Sequence, residues 1–118
     1  MAKLLVHIAT GPENPTRAAL GLLVARTAVD GGHKVQIFLA GDGVHLARPA
    51  TADATHGVGT GAVAEHWEAL DAAGVPVHLS GMSSRARGID APFREGVELV
   101  QPEKLVELAL WADTTLVY

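Results

Sequence analysis

The segment Ser80-Gly81-Met82-Ser83-Ser84-Arg85-Ala86-Arg87-Gly88 holds the densest set of groups able to do chemistry in this chain. The apolar residues Val75 to Leu79 read as a buried strand, so the segment reads as a short helix entered straight from a strand and closed by Gly88. Backbone N–H groups at such a helix start have no partner inside the helix, which favours an anion there. Ser83 or Ser84 could cap this helix, and Arg85 or Arg87 could add positive charge for a phosphate, sulfate or carboxylate. A purely structural reading has the serines capping and the arginines pairing with acids such as Glu95. Alternation along the strand also puts His78 and Ser80 on one face, roughly 6–7 Å apart along the backbone. A Ser–His nucleophile would need suitable rotamers, and no strained G-x-S-x-G elbow surrounds Ser80.

Other groups carry weaker signals. Six histidines invite a metal, and His45, His56 and His66 could converge with Asp42, but no pair shows an H-x-x-x-H spacing. No metal site is expected. His7 and His78 lie in strands and read as hydrogen-bonded core residues. Gly41-Asp42-Gly43 is not a G-x-G-x-x-G fingerprint, and no Walker lysine is present, so neither a dinucleotide nor any other cofactor is expected.

These groups need a scaffold, and the apolar pattern describes one. Lys3 to Ala9 is an apolar run bounded by turn residues, as in a buried strand. Asn14 is placed to cap a helix, with Pro15 at its first position, where a missing N–H costs nothing. That helix runs to about Asp30 and is apolar nearly all round, which predicts deep burial or cover by a second subunit. Gly31 and Gly32 end it, and Lys34 to Ala40 forms a second strand. Val44 to Ala47 reads as a helical turn. Residues 48–61 read as the longest irregular stretch, either a functional lid or a slack connection.

Thr60 can cap a third helix running to Ala73, with Val63, His66, Trp67, Leu70 and Ala73 on its buried stripe. Gly96 to Val100 is a weaker strand with Glu98 toward solvent. Pro102 opens a last helix that buries Leu105, Leu108, Ala109 and Ala112, and Thr114 to Tyr118 is the final strand. The order β-α-β-α-α-β-α-β-α-β predicts one domain over residues 1–118, a three-layer α/β/α fold around a parallel sheet.

Sheets of this kind bind ligands at the carboxyl ends of their strands. Here those ends are Ala9-Thr10-Gly11, Ala40-Gly41-Asp42-Gly43, Leu79-Ser80-Gly81, Val100-Gln101 and Tyr118. The expected ligand-binding residues are Gly11, Gly41, Asp42, Gly43, Ser80, Gly81, Met82, Ser83 and Arg87, and only Ser80 and His78 come forward for catalysis.

Composition narrows the partners. The chain is 48% hydrophobic yet only 4% aromatic, so its core must be aliphatic, which suits a sheet covered on both faces. A net charge of −4 with no basic stripe argues against nucleic acid. No apolar run reaches the ~18 residues of a membrane span. Met1 to Val6 reads as strand rather than signal peptide, because His7 and Gly11 to Pro15 cut the apolar run short. Without cysteine there is no disulfide framework, and the cytoplasm is the default compartment.

The pattern resembles the DsrE/DsrF-like family of small sulfur-relay proteins. The stretches that carry the resemblance are Lys3 to Pro12, Ala18 to Ala28, Gly32 to Val44, Ala73 to Ser83, Arg87-Gly88, Gly96 to Val100 and Leu105 to Tyr118. The resemblance implies a five-stranded parallel sheet between helices and assembly into trimers, hexamers or related homo-oligomers. It also implies that sulfur-carrying members hold a persulfide on a cysteine at the end of the strand matching Val75 to Leu79. Ser80 occupies that position, and a hydroxyl cannot carry a persulfide, which needs a soft, readily ionised thiol. The expectation is therefore a member without sulfurtransferase activity. It would bind a small molecule or anion at the carboxyl edge or act as a regulatory subunit. The alternative is a small-substrate enzyme using His78, Ser80, Asp42 or Tyr118 for acid–base work.

Overall fold

A computed structural model of the protein describes residues 1–90 and 92–118. The first apolar run is β1 (Lys3–Ile8), followed by α1 (Pro15–Asp30), which Asn14 caps by accepting a hydrogen bond from the Arg17 N–H. After β2 (Lys34–Leu39) comes a 3-10 helix over Gly41–Ala47. Then follow α2 (Pro49–Ala54), the short strands β3 (His56–Gly57) and β4 (Gly61–Ala62), and α3 (Val63–Ala72). The chain closes with β5 (Val77–Ser80), α4 (Gly81–Ala86), β6 (Val97–Val100), α5 (Pro102–Trp111) and β7 (Thr114–Val117).

Five strands form one parallel sheet in the order β6-β5-β2-β1-β7, with helices on both faces. Strand alternation sorts the side chains. Val6, Ile8, Ile37, Leu39, Val77 and Leu79 face one way and bury with Ala18 and Leu22 of α1 and Val63, Trp67 and Leu70 of α3. Leu5, Phe38 and Val100 face the other way and bury under Leu108 of α5, with Leu105 and Ala112 packed beside them. The first face is continuous and aliphatic. The second has a smaller core and carries polar side chains between its apolar ones.

Several local expectations are corrected by the structure. Residues 48–61 are not an irregular loop: Pro49 starts α2, and Gly59 and Gly61, both at positive φ, turn the β3–β4 hairpin. Thr60 does not cap α3; its hydroxyl donates to the Thr16 carbonyl at 3.0 Å, while Ala62 precedes the helix without a side-chain cap. The hairpin is thereby pinned to α1, and the Val58 N–H donates to the Thr16 hydroxyl as well. The all-round apolar character of α1 follows from this packing, since the helix meets the sheet, α3 and the hairpin at once. Ala73 and Ala109, expected to be buried, are exposed.

The carboxyl ends of β1 and β2 run in direct backbone contact. A methyl group at Gly11 would overlap the Asp42 carbonyl, and one at Gly43 would overlap the Ile8 carbonyl. Glycine is required at both positions by close approach rather than by φ. Gly43→Ala is expected to cost about 1–3 kcal/mol, the usual penalty for forcing atoms into a packed site. The measurement is the urea midpoint, and an unchanged midpoint would mean that the two strand ends do not touch.

Candidate ligand-binding site at the carboxyl edge

That glycine contact fixes the loop after β2 and, through it, the start of α4. Gly41, at φ +52°, directs its N–H to the Ser83 hydroxyl at 2.9 Å. Asp42 accepts from Arg87 Nε at 3.0 Å, and Arg87 also donates to the Ser83 carbonyl at 3.1 Å. Arg87 thus pairs with Asp42, not with Glu95. The cap of α4 is Ser80, three residues before Ser83 and four before Ser84, the two serines expected: its hydroxyl accepts from the Ser83 N–H at 3.1 Å. Buried Ser84 donates to the Ser80 carbonyl at 2.8 Å.

Much of the expected set is therefore brought together, but its polar groups largely satisfy one another. Gly11 donates to Glu13 Oε1 at 2.8 Å, and Met82 is exposed. Ser80→Ala should cost about 1 kcal/mol, the typical loss for removing an N-cap. Thermal melting checks this, and an unaltered melting temperature would mean that α4 does not depend on its cap.

A cavity of about 270 Å³ opens beside this network, between α4 and the end of β6. Arg85, Asp90 and Gln101 line it among the polar residues, and Ile89, Phe93 and Leu99 among the apolar ones. Arg85 has no carboxylate within ion-pair distance among the described residues. Its guanidinium and the Gln101 amide both lie near Gly81, where a side chain would crowd them. Phe93 is held by its neighbour: the Arg94 N–H donates to the Ala47 carbonyl at 2.7 Å, and the Arg94 guanidinium stacks on Trp67 and pairs with Asp71. Arg85 and Gln101 were not among the expected ligand residues. The signal that could have found them is the position of Gln101 at a strand end and of Arg85 one helical turn beyond Gly81.

Strand register places the expected histidines in one row across the second face, in the order Glu98, His78, Phe38, His7 and Val117. His78 Nε2 donates to Gln36 Oε1 at 2.8 Å, and its Nδ1 lies 3.7 Å from Glu98 without a hydrogen-bond partner. His78 and Ser80 share a face, yet the imidazole bonds Gln36 rather than the serine hydroxyl. His7 meets the edge of Phe38, and its Nε2 is buried without a partner. Of the other histidines, His66 Nε2 bonds the Thr60 carbonyl at 2.6 Å and His56 Nε2 bonds the Asp53 carbonyl at 3.1 Å. Among the described residues no three of His, Asp and Glu gather as a metal site would require.

Burial lowers the pKa of both His7 and His78 below the ordinary 6.5. At His78, Lys104 pushes the same way, while Glu98 and Glu107 oppose it. With folded-state values below the unfolded one, the unfolded chain takes up the extra protons first as pH falls. Stability is thus complete above about 6.5 and declines as pH drops through that value toward the folded-state values. Urea midpoints should fall between about pH 7.5 and 5.5 in the wild type, and His78→Gln should fall less over the same range. Equal pH dependence in both would mean that His78 is as readily protonated folded as unfolded.

The sequence pattern of the DsrE/DsrF-like family matches residues 2–118, and the chain belongs to that family. It is 32% identical over 119 residues to the uncharacterized protein MK0008 of Methanopyrus kandleri, covering 98% of this chain and 93% of that protein. Its structure resembles the ychN protein from E. coli over the whole of both chains, with a TM-score of 0.84 and 25% identity. It also resembles MTH1491, a protein of unknown function from Methanobacterium thermoautotrophicum, over the whole of both chains, with a TM-score of 0.78. At 16% identity the latter likeness shows the fold alone.

Proposed function

We propose that this chain is a DsrE-like protein without sulfurtransferase activity that binds a small molecule bearing an anionic group at the carboxyl edge of its sheet. It would work as a homo-oligomer, a trimer or hexamer, in the cytoplasm, in a binding or regulatory role. The observation that carries the reading is the cavity between α4 and β6, where Arg85, without an ion pair among the described residues, and the Gln101 amide sit beside Phe93 and Leu99, with Asp90 in the same lining. A guanidinium and an amide donor suit a carboxylate or phosphate, and the apolar wall suits the body of the ligand.

Ser80 stands where the resemblance puts a persulfide-bearing cysteine, and the chain has no cysteine with which to replace it. The enzyme alternative draws no comparable support: Ser80 caps a helix, Asp42 pairs with Arg87, and His78 bonds Gln36. No helix among the described residues is long and apolar enough to cross a membrane. Support for self-association comes from α5 and β7. Val106 and Leu110, one turn apart on α5, and Val117 on the edge strand β7 are exposed. β7 itself carries no charged residue or proline of the kind that usually guards an edge strand.

Native mass spectrometry with rising activation tests both parts. A trimer or hexamer that sheds a discrete small mass is expected, and Arg85→Gln should assemble equally while losing that mass. A bare monomer would overturn the reading. An oligomer whose bound mass survives Arg85→Gln would overturn the site.

A further inference from the structure

The opposite edge of the sheet carries a larger cavity, of about 400 Å³, that the carboxyl-edge reading does not use. It lies at the amino ends of β2 and β5 and is walled by Val35, Val75 and Trp111, the last residue of α5. Its volume falls within the range of ordinary small-molecule sites. The length of β2 puts it about 20 Å from the carboxyl edge, so one ligand cannot occupy both.

His33, Lys34 and Gln36 line this cavity, and each has N–H donors to offer. His33 Nδ1 accepts the Ala2 N–H at 3.0 Å, so the proton of its neutral ring sits on Nε2. Gln36 Oε1 is taken by His78 Nε2 at 2.8 Å, which leaves the two amide hydrogens of Gln36 for a ligand. Lys34 brings an ammonium group, which can only donate, and no carboxylate lies within ion-pair distance of it among the described residues. No aspartate or glutamate lines the cavity. A set of donors with net positive charge beside an indole suits an anionic group on a flat apolar body.

We propose that the amino-edge cavity is a second binding site, for an aromatic carboxylate. The carboxylate would meet Lys34, with Gln36 and His33 as further donors, and the ring would pack on Trp111 beside Pro76. The site is independent of the carboxyl-edge site, and the loss of either would leave the other intact.

Titration calorimetry with 2-naphthoate, and with 2-naphthalenemethanol as a neutral counterpart, tests this on the full chain. Wild type should bind the carboxylate at least tenfold more tightly than the alcohol. Lys34→Gln, an exposed change that leaves the core alone, should abolish that preference while keeping the alcohol's affinity. Trp111→Leu should weaken both probes, with circular dichroism confirming that the variant is folded. Arg85→Gln should bind both probes as wild type does. Equal affinity for carboxylate and alcohol in the wild type, or a preference that survives Lys34→Gln, would overturn the proposal. A preference lost in Arg85→Gln instead would put the probe at the carboxyl edge and also overturn it. The carboxyl-edge reading would stand in every such case, because its own test reads a mass lost with Arg85→Gln.

Discussion

At the carboxyl ends of β1 and β2 two backbones touch, and a single methyl group at Gly11 or Gly43 would collide with the carbonyl opposite. This contact sets the position of everything around it. With the loop after β2 held against β1, the Gly41 N–H can reach the Ser83 hydroxyl and Asp42 can reach Arg87. Those two bonds aim α4, which Ser80 caps from the strand side. Arg87 and the serines are committed to one another, while Arg85 lines the neighbouring cavity and makes no ion pair among the described residues. The glycines expected to admit a ligand instead admit a second strand end. The cavity lined by Arg85 and Gln101 lies between α4 and β6.

The two faces of the sheet are built differently, and the difference bears on assembly. One face is a continuous aliphatic core under α1 and α3, reinforced by the β3–β4 hairpin. The other is covered mainly by α5 and carries the row Glu98, His78, Phe38, His7 and Val117. Imidazoles on that face are kept neutral by burial, because an isolated charge there would lose its hydration without gaining a good partner. The helix over this face also turns Val106 and Leu110 outward, and neither they nor the other exposed large apolar side chains lie on α1. A second copy packed on Val106 and Leu110 would remove them from water, the usual driving force for association.

A serine at residue 80 serves the fold as the cap of α4. A serine oxygen accepts a hydrogen bond from a helix N–H readily, so the position becomes a sound cap. The same oxygen is hard and seldom ionised, which closes the route to a persulfide. The family architecture is retained, and what it offers is surface: a carboxyl-edge cavity with Arg85 and an amino-edge cavity with Lys34.

Order and type of the main elements were legible in the sequence, because buried strands and capped helices write themselves in short-range patterns. Asn14-Pro15 marked the start of α1, Pro102 that of α5, and the missing cysteine alone decided the question of persulfide chemistry. The segment 48–61 was less legible: its Gly, Ala and Thr residues have weak intrinsic preference, and its helix and hairpin form only against α1. Which arginine pairs and which stays free was likewise decided in three dimensions. Arg85 and Arg87 are two residues apart and chemically identical, but on a helix they point in different directions, and only one of them meets Asp42. The orientation of the donors at the amino edge was equally hidden, since it depends on Gln36 and His33 bonding residues 42 and 31 positions away. Local pattern determines where a backbone can bend or run straight. The partner of each polar group is set by long-range packing, and in this protein that packing ties Arg87 to Asp42 and places Arg85 in the lining of a cavity.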